Sequence, residues 1–426
     1  MIKIVNSADV SRSELLSRTL PETPAVEQAV REILKNVIDN GDKALFEYAK
    51  KFDGASLSAL EVTKEEIDEA VAAVDADFIE TLKMAQQNIA DFHSRQTRQS
   101  FVTDEKPGIV LGQRVIPLER VGIYVPGGTA SYPSTVLMNA VPARIAGVKE
   151  IIMVTPPDKN GKIQNEILAA AYLAGVDRIF KIGGAGAVAA LAYGTESVPV
   201  VDKIVGPGNV FVATAKRMVF GKVAIDMVAG PSEILIVADK DATPKFVAAD
   251  LLSQAEHDKL ASSVLVTTSK ELAEAVSCEL ERQIPLLERA EIARTSIDNN
   301  GKIIIVESIE EAVEISNEYA PEHLELSVND PMGILPLVKN AGSVFLGHNV
   351  PEALGDYFAG PNHTLPTSGT ARFASPLGVD DFVKRSSFIY YTKEALSKVE
   401  RRIVDFANRE GLTAHGRSVA IRFEED

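Results

Sequence analysis

The sequence predicts an α/β protein: two Rossmann-like parallel-sheet domains with a helical N-terminal region and a helical C-terminal tail. Three observations carry this. Between about 120 and 230, short β-prone runs alternate with helical ones, and three glycine turns punctuate them. From Ile234 to Leu346 a second alternation of the same kind follows. Outside these stretches, residues 24–93 and 393–408 read as helical, with apolar side chains recurring at three- and four-residue spacing in the first. At 426 residues the chain exceeds one ordinary core. The expected division is an arm (1–20), a first α/β domain (21–119 plus 232–380), a second, Rossmann-like domain (120–231) and a C-terminal tail (381–426).

Composition narrows the function classes. Net charge is −16, from 44 basic and 60 acidic side chains. No basic stretch offsets it, which argues against nucleic acid as a partner. No run of ~18 apolar residues exists, so no membrane span is expected. The N-terminus lacks an apolar signal region. One cysteine, Cys278, rules out an intrachain disulfide and fits a reducing cytoplasm. It lies in a helical run and reads as a packed small hydrophobe rather than a nucleophile.

Taken in order, Val26, Val30, Ile33, Leu34, Val37 and Ile38 mark one helical face, with Gly41 ending the helix and Asp42 capping the next. Thr63 and Glu66 form a capping-box pair. A long helical pattern continues through Ile79, Leu82, Ala85 and Ile89 to His93, which reads as structural. Val115–Leu118 and Val121–Val125 are strands. The turn at 126–133 opens onto a helix, as either a phosphate-binding loop or a plain β–α connection. After the strand Arg178–Ile182, the residues Gly184, Gly186 and Ala189 match a G-x-G-x-x-G/A pattern before a helix. The acid expected ~20 residues on has Asp202 as its one candidate. A third glycine turn, Ile204–Asn209, leads into the helix 211–218.

The second alternation carries the polar pairs. Residues 244–257 read as a helix, placing Gln254 and His257 on one face. Alone, such a pair is usually surface or satisfied core. Glu322 and His323 follow Pro321; adjacent residues share a cleft only near a turn or a helix start, which the proline suggests. Asp356 and His363 fall in a glycine–proline loop. His348 has no paired signal and reads as structural. His415, near the chain end, has none of its own.

Together these motifs resemble the histidinol dehydrogenase family over nearly the whole chain. The resemblance rests on Val121-Gly-Ile-Tyr-Val-Pro-Gly-Gly128, Val205-Gly-Pro-Gly-Asn209, Ile225-Asp226 through Ala229-Gly-Pro-Ser-Glu233, Gln254-Ala-Glu-His257, Ala320-Pro-Glu-His-Leu324, Gly360-Pro-Asn-His363 and Glu410-Gly-Leu-Thr-Ala-His415. It implies a zinc- and NAD-dependent enzyme that oxidises L-histidinol through L-histidinaldehyde to L-histidine, using two NAD. These are the last steps of histidine biosynthesis. It assigns one zinc per subunit to Gln254, His257, Asp356 and His415. Acid/base work falls to Glu322 and His323. Substrate contacts fall to Ser232, His363 and Glu410, together with His323 and the metal ligands. Tyr124 and Asn209 map to cofactor contacts. It further implies a cytoplasmic homodimer whose intertwined tails bring Glu410 and His415 to the partner's site.

The chemistry explains these residue types. Oxidising an alcohol needs a base for the hydroxyl proton, and an imidazole suits that, so His323 is the expected base. Passing a hydrated aldehyde needs an activated water, whose proton Glu322 can take. A ligand set of His, Asp and Gln differs from structural zinc, which prefers cysteine. One position departs from the family: Gly186 stands where Gln is usual, so a side-chain hydrogen bond to NAD is expected to be lost or to be replaced by water or backbone. A related dehydrogenase acting on a sulfonated diol is the nearest rival, but His363, Glu410 and Asp356 favour histidinol. A non-catalytic zinc-binding scaffold on the same fold is disfavoured by the intact Glu322 and His323. A zinc hydrolase is disfavoured by the glycine turns at 126–128 and 206–208.

Overall fold

The computed structural model describes residues 1–18, 24–127 and 132–424. The chain divides into two compact units, residues 1–96 with 118–382, and 97–117 with 383–426. The described residues contain fourteen strands: β1 (Lys3–Asn6), β2 (Phe101–Thr103), β3 (Ile109–Pro117), β4 (Arg120–Tyr124), β5 (Glu150–Thr155), β6 (Arg178–Lys181), β7 (Lys203–Val205), β8 (Ala224–Ile225), β9 (Glu233–Ala238), β10 (Ser262–Thr267), β11 (Lys302–Ile305), β12 (His323–Ser327), β13 (Ser343–Leu346) and β14 (Val383–Tyr391).

Two all-parallel sheets build the larger unit. One runs β6-β5-β4-β7-β8, the other β1-β11-β10-β9-β12-β13. Apart from β1, the two have the same order: the first strand is central, two follow on one side and two on the other. The order reverses between β4 and β7 and between β9 and β12, and such a switch point is where open α/β sheets bind ligands. The central strands are apolar on both faces, as helix-covered parallel strands must be. Val121 and Ile123 of β4 face one core, while Tyr124, with Ile152 and Val154 of β5, faces the other. In the six-stranded sheet, Ile234 and Ile236 face one core and Leu235 and Val237 the opposite one.

The expected helices form, with differences that packing explains. The helices Pro24–Asn40 and Ala76–His93 lie on the five-stranded sheet: Val30, Leu34 and Val37 join one of its cores, and Leu82, Ala85 and Ile89 the other. Sequence order grouped residues 21–119 with 232–380, but these apolar faces are buried against the 120–231 segment. The arm contributes β1, paired in parallel with β11; its residues 19 and 20 lie outside the described residues. The Thr63–Glu66 capping box is present. Asp42 does not cap the next helix. Gly41 occupies that position at φ 53°, and the Asp42 carboxylate instead accepts from Thr195 and Ser197. Cys278 is exposed on the helix Lys270–Gln283 rather than packed, because Val276 and Ser277 take the buried face.

The smaller unit contains an antiparallel sheet, β14-β3-β2. β14 pairs with β3 along its length, from Val383 opposite Pro117 to Tyr391 opposite Ile109. The tail is therefore not helical throughout. The helices Lys393–Ser397, Glu400–Arg409 and Thr413–Ala420 follow the strand. No described helix is long and apolar enough to cross a membrane.

Candidate active site

Glu233 opens β9, and its backbone holds two of the expected site side chains. Its N–H donates to Glu322 Oε2 at 3.0 Å. Its carbonyl oxygen accepts from His323 Nδ1 at 3.0 Å. Pro321 does not start a helix, contrary to the sequence expectation. The preceding helix ends at Tyr319, Ala320 turns the chain at φ 51°, and β12 begins at His323. At this strand start Glu322 and His323 reach the two peptide groups that flank one residue, Glu233, from adjacent positions, with Glu322 Oε2 3.8 Å from His323 Nδ1.

The Glu233 carbonyl fixes the His323 tautomer. With Nδ1 donating, Nε2 carries the lone pair. That nitrogen is buried and has no hydrogen-bond partner. It lies 3.7 Å from Glu352 Oε1 and 3.9 Å from Asp356 Oδ1. Ligand atoms of His323, Glu352 and Asp356 all fall within 4.8 Å of one another, close enough to hold one metal ion. Asp356 lies on the last turn of the short helix Glu352–Tyr357 rather than in a loop. His363 follows in the loop, with Nδ1 donating to the Asp356 carbonyl oxygen at 3.0 Å. With Phe345 and Leu365, His323, Asp356 and His363 line a cavity of about 190 Å³.

Gln254 and His257 arrive from the other side. The helix Pro244–Ala255 follows β9 and packs on the helix Glu352–Tyr357. Ser253 Oγ donates to Glu352 Oε2 at 3.0 Å. The helix stops at Ala255, and His257 sits in the next turn, its N–H donating to the Gln254 carbonyl oxygen at 3.1 Å. The side chain of Gln254 is buried with an unpartnered amide nitrogen, while His257 is exposed. His257 is near enough to influence the ionisation of His323, Glu352 and His363. Ser232 precedes Glu233, and its carbonyl accepts from Ser262 N–H at the start of β10.

Burial controls protonation here. It lowers His323, leaving a neutral imidazole near pH 7. It lowers His363 to about 4. It raises Glu322 well above the carboxylate range, helped by the neighbouring Glu233, Asp356 and Glu352. It raises Asp356 to about 9, with the Glu352 carboxylate adding to the effect. Burial also pushes against ionised Glu352, but the His323 ring, when protonated, and hydrogen bonds from Asp356 and Ser253 bring it below its ordinary value. Glu352 is the residue of this cluster that no sequence motif marks. It is 2% exposed, and a single glutamate after a proline carries no spacing signal.

Orphaned polar atoms test whether this site suits a cation and a polar substrate. Gln254 Nε2, His323 Nε2 and Glu352 Oε1 are all buried without partners. Folded proteins rarely leave such atoms unpaired. The amide of Gln254 can equally present its oxygen. Oxygen and nitrogen donors of this kind fit zinc.

A second cavity, of about 430 Å³, lies at the carboxyl end of β4, beside the switch point with β7. Tyr124 and Asn209 both line it. Tyr124 Oη accepts from Gly184 N–H at 2.9 Å, and Asn209 caps the helix Val210–Val219 by accepting from Phe211 and Val212 N–H. Gly206 sits at φ +107°, where a Cβ would collide with the Tyr124 carbonyl oxygen. Buried Lys216 and Asp226 pair beneath this turn, Lys216 Nζ donating to the Gly206 carbonyl and Asp226 accepting from Gly206 N–H. Gly186 also lines the cavity. In the first glycine turn, residues 128–131 lie outside the described residues. Asp202 is not at the cavity's acid position. It accepts from the N–H groups of Glu119 and Arg120.

Glu322 and His323 sit at or beside the amino ends of β9 and β12. The nucleotide-sized cavity, by contrast, takes the usual carboxyl-end position on the other sheet. The helix Pro244–Ala255 explains how Gln254 joins them, since a crossover helix after β9 runs back toward the amino ends. Glu410 and His415 belong to the smaller unit. Glu410 ends the helix Glu400–Arg409, His415 lies on Thr413–Ala420, and both are exposed.

Comparison with known proteins identifies the family. A family model described as histidinol dehydrogenase matches residues 16–423. A histidinol dehydrogenase of Bacillus cereus is 60% identical over 401 residues, 94% of this chain and 93% of that protein. One from Syntrophotalea carbinolica is 59% identical over 408 residues, 95% of this chain and 94% of that protein. The crystal structure of histidinol dehydrogenase from Elizabethkingia anophelis superposes with a TM-score of 0.94 at 39% identity, covering 99% of this chain and 98% of that one. A match spanning both sheets, both cavities and the C-terminal helices places the chain in the histidinol dehydrogenase family.

Proposed function

We propose that this chain is an NAD-dependent oxidoreductase converting L-histidinol through L-histidinaldehyde to L-histidine, the closing steps of histidine biosynthesis. The observation that carries the reading is His323: a buried neutral imidazole with Nδ1 committed to Glu233 and Nε2 bare, beside a buried Glu322. In the first oxidation His323 Nε2 takes the hydroxyl proton. In the second, water adds to the aldehyde and Glu322 takes its proton, a role helped by burial, which raises its pKa and makes the carboxylate a stronger base. When bound, zinc orients the substrate's amine and imidazole, and NAD accepts the electron pair of each oxidation.

Gln254, His257 and Asp356 would hold the zinc, with His415 as fourth ligand. Glu352, hydrogen-bonded through Ser253, is a further donor within reach and orients Asp356. Ser232, His363 and Glu410 would contact the substrate, as would His323 and the metal ligands. Tyr124 and Asn209 would contact NAD. We further propose a homodimer in which Glu410 and His415 act in the partner's site. Support comes from the smaller unit, which exposes the large apolar side chains Phe101, Val102, Ile389, Tyr390 and Phe406, residues of the kind that interfaces cover. A cytoplasmic location agrees with the single cysteine.

The test is turnover. Zinc-loaded protein should reduce NAD on histidinol, stop when a chelator removes the metal and resume when zinc is restored. A clear preference for a sulfonated diol over histidinol would overturn the substrate assignment.

A further inference from the structure

The larger cavity contains a feature that the proposed reaction does not use. Its wall includes an N-terminal segment, Ala49–Asp53, wound as a π-helix and closed by Gly54 at φ 71°. Single π-turns of this kind cluster at functional sites. The Tyr48 and Phe52 rings, both at the cavity, stack with centroids 5.6 Å apart and 27° between planes. Gly186 leaves room for this plate, since a Cβ there would lie 3.2 Å from Tyr48 Cδ2. Beside the rings stands Asp53. Its carboxylate has no hydrogen-bond or ion-pair partner among the described residues. Among those residues no lysine or arginine lines the cavity.

Which end of NAD belongs here follows from the lining. The described lining residues come from 33–53 and 124–211. Glu322 and His323, on the six-stranded sheet, are not among them. The half of the cofactor in this cavity is therefore the one that does not react, the adenosine. Sheets of this type recognise that ribose with an acid ~20 residues past the glycine turn. Here Asp202 is taken up by the backbone of Glu119 and Arg120. The acid position of the cavity is filled from outside the sheet.

We propose that Asp53 accepts the adenosine ribose hydroxyls and excludes a 2′-phosphate, making it the residue that selects NAD over NADP, with Tyr48 and Phe52 as the adenine platform. The inference rests on the NAD-dependent reading above. Burial raises the Asp53 carboxyl to about 6, which still leaves it mostly ionised at pH 7.5 and above. An ionised acceptor gains two hydroxyl hydrogen bonds from NAD and meets a like charge in NADP.

The test is calorimetric binding to zinc-loaded protein at pH 8 without histidinol, using NAD, NADP and 2′-deoxyadenosine NAD. The unaltered chain should bind NADP and the deoxy analogue each at least about tenfold more weakly than NAD, the loss of one hydrogen bond to a charged acceptor. Asp53→Asn should bring NAD and NADP within about threefold of each other. Equal binding of NAD and NADP by the unaltered chain overturns the proposal, as does discrimination that survives in Asp53→Asn. The deoxy comparison needs no variant, so the proposal stays open to refutation if Asp53→Asn fails to fold. Failure of the underlying reading shows separately, as no NADH from histidinol with the unaltered chain, and would take the proposal with it.

Discussion

One residue, Glu233, organises the proposed chemistry through its backbone N–H and C=O. It commits His323 to the tautomer with a bare Nε2 and holds Glu322 by an N–H. The tasks proposed for the two side chains differ, and substitution can separate them. Glu322→Gln keeps the size and the bond to Glu233 N–H but cannot accept a proton. We expect it to slow aldehyde oxidation by ~10²-fold or more, the usual weight of general-base catalysis, while alcohol oxidation falls much less. Stopped-flow with histidinol and histidinaldehyde supplied separately measures both, and equal losses would remove the assigned role. Asp356 gives a second test. Its folded pKa, about 9, lies above the unfolded 3.8. That stabilises the metal-free protein below the unfolded value, and the benefit is lost as pH rises through the folded one. Binding zinc as a carboxylate removes the dependence. The difference in Tm between zinc-loaded and chelated protein should therefore widen from pH 6 to pH 9. A constant or shrinking difference would mean that Asp356 is not a ligand.

At the scale of elements, the sequence was legible where one local rule decides. The Thr63 capping box, the apolar stripe of Pro24–Asn40 and the doubly buried strands of both sheets formed as their patterns require. What was not legible depended on distant partners. Residues 3–6 become β1 only because β11 offers an open edge. β14 alternates too weakly to read as a strand, with most of its residues exposed, and it exists because β3 pairs along its whole length. Pro321 looked like a helix start because the sequence does not reveal that β9 lies opposite His323. Of the residues gathered around His323, Glu322 and Asp356 lie in motifs that the sequence shows and Glu352 does not. Its importance comes from Ser253 and His323, 99 and 29 positions away in the chain.

The whole molecule raises the question of where its site is completed. Gln254, His257, Asp356 and the acid/base pair are all in the larger unit, whereas Glu410 and His415 belong to the smaller one and are exposed. If the tail serves a second copy, two defects on different chains can compensate. Glu322→Ala and His415→Ala proteins, each inactive, should regain up to about a quarter of normal activity after mixing, unfolding and refolding, because half of the molecules are heterodimers with one intact site. Confirmed subunit exchange without recovery would mean that each site is built from one chain. The central claim, however, concerns the reaction itself, two successive oxidations at one site. The most direct measurement is NADH formed per histidinol consumed. The account predicts two, with histidine as the product; one NADH per histidinol, with the aldehyde accumulating, would contradict it.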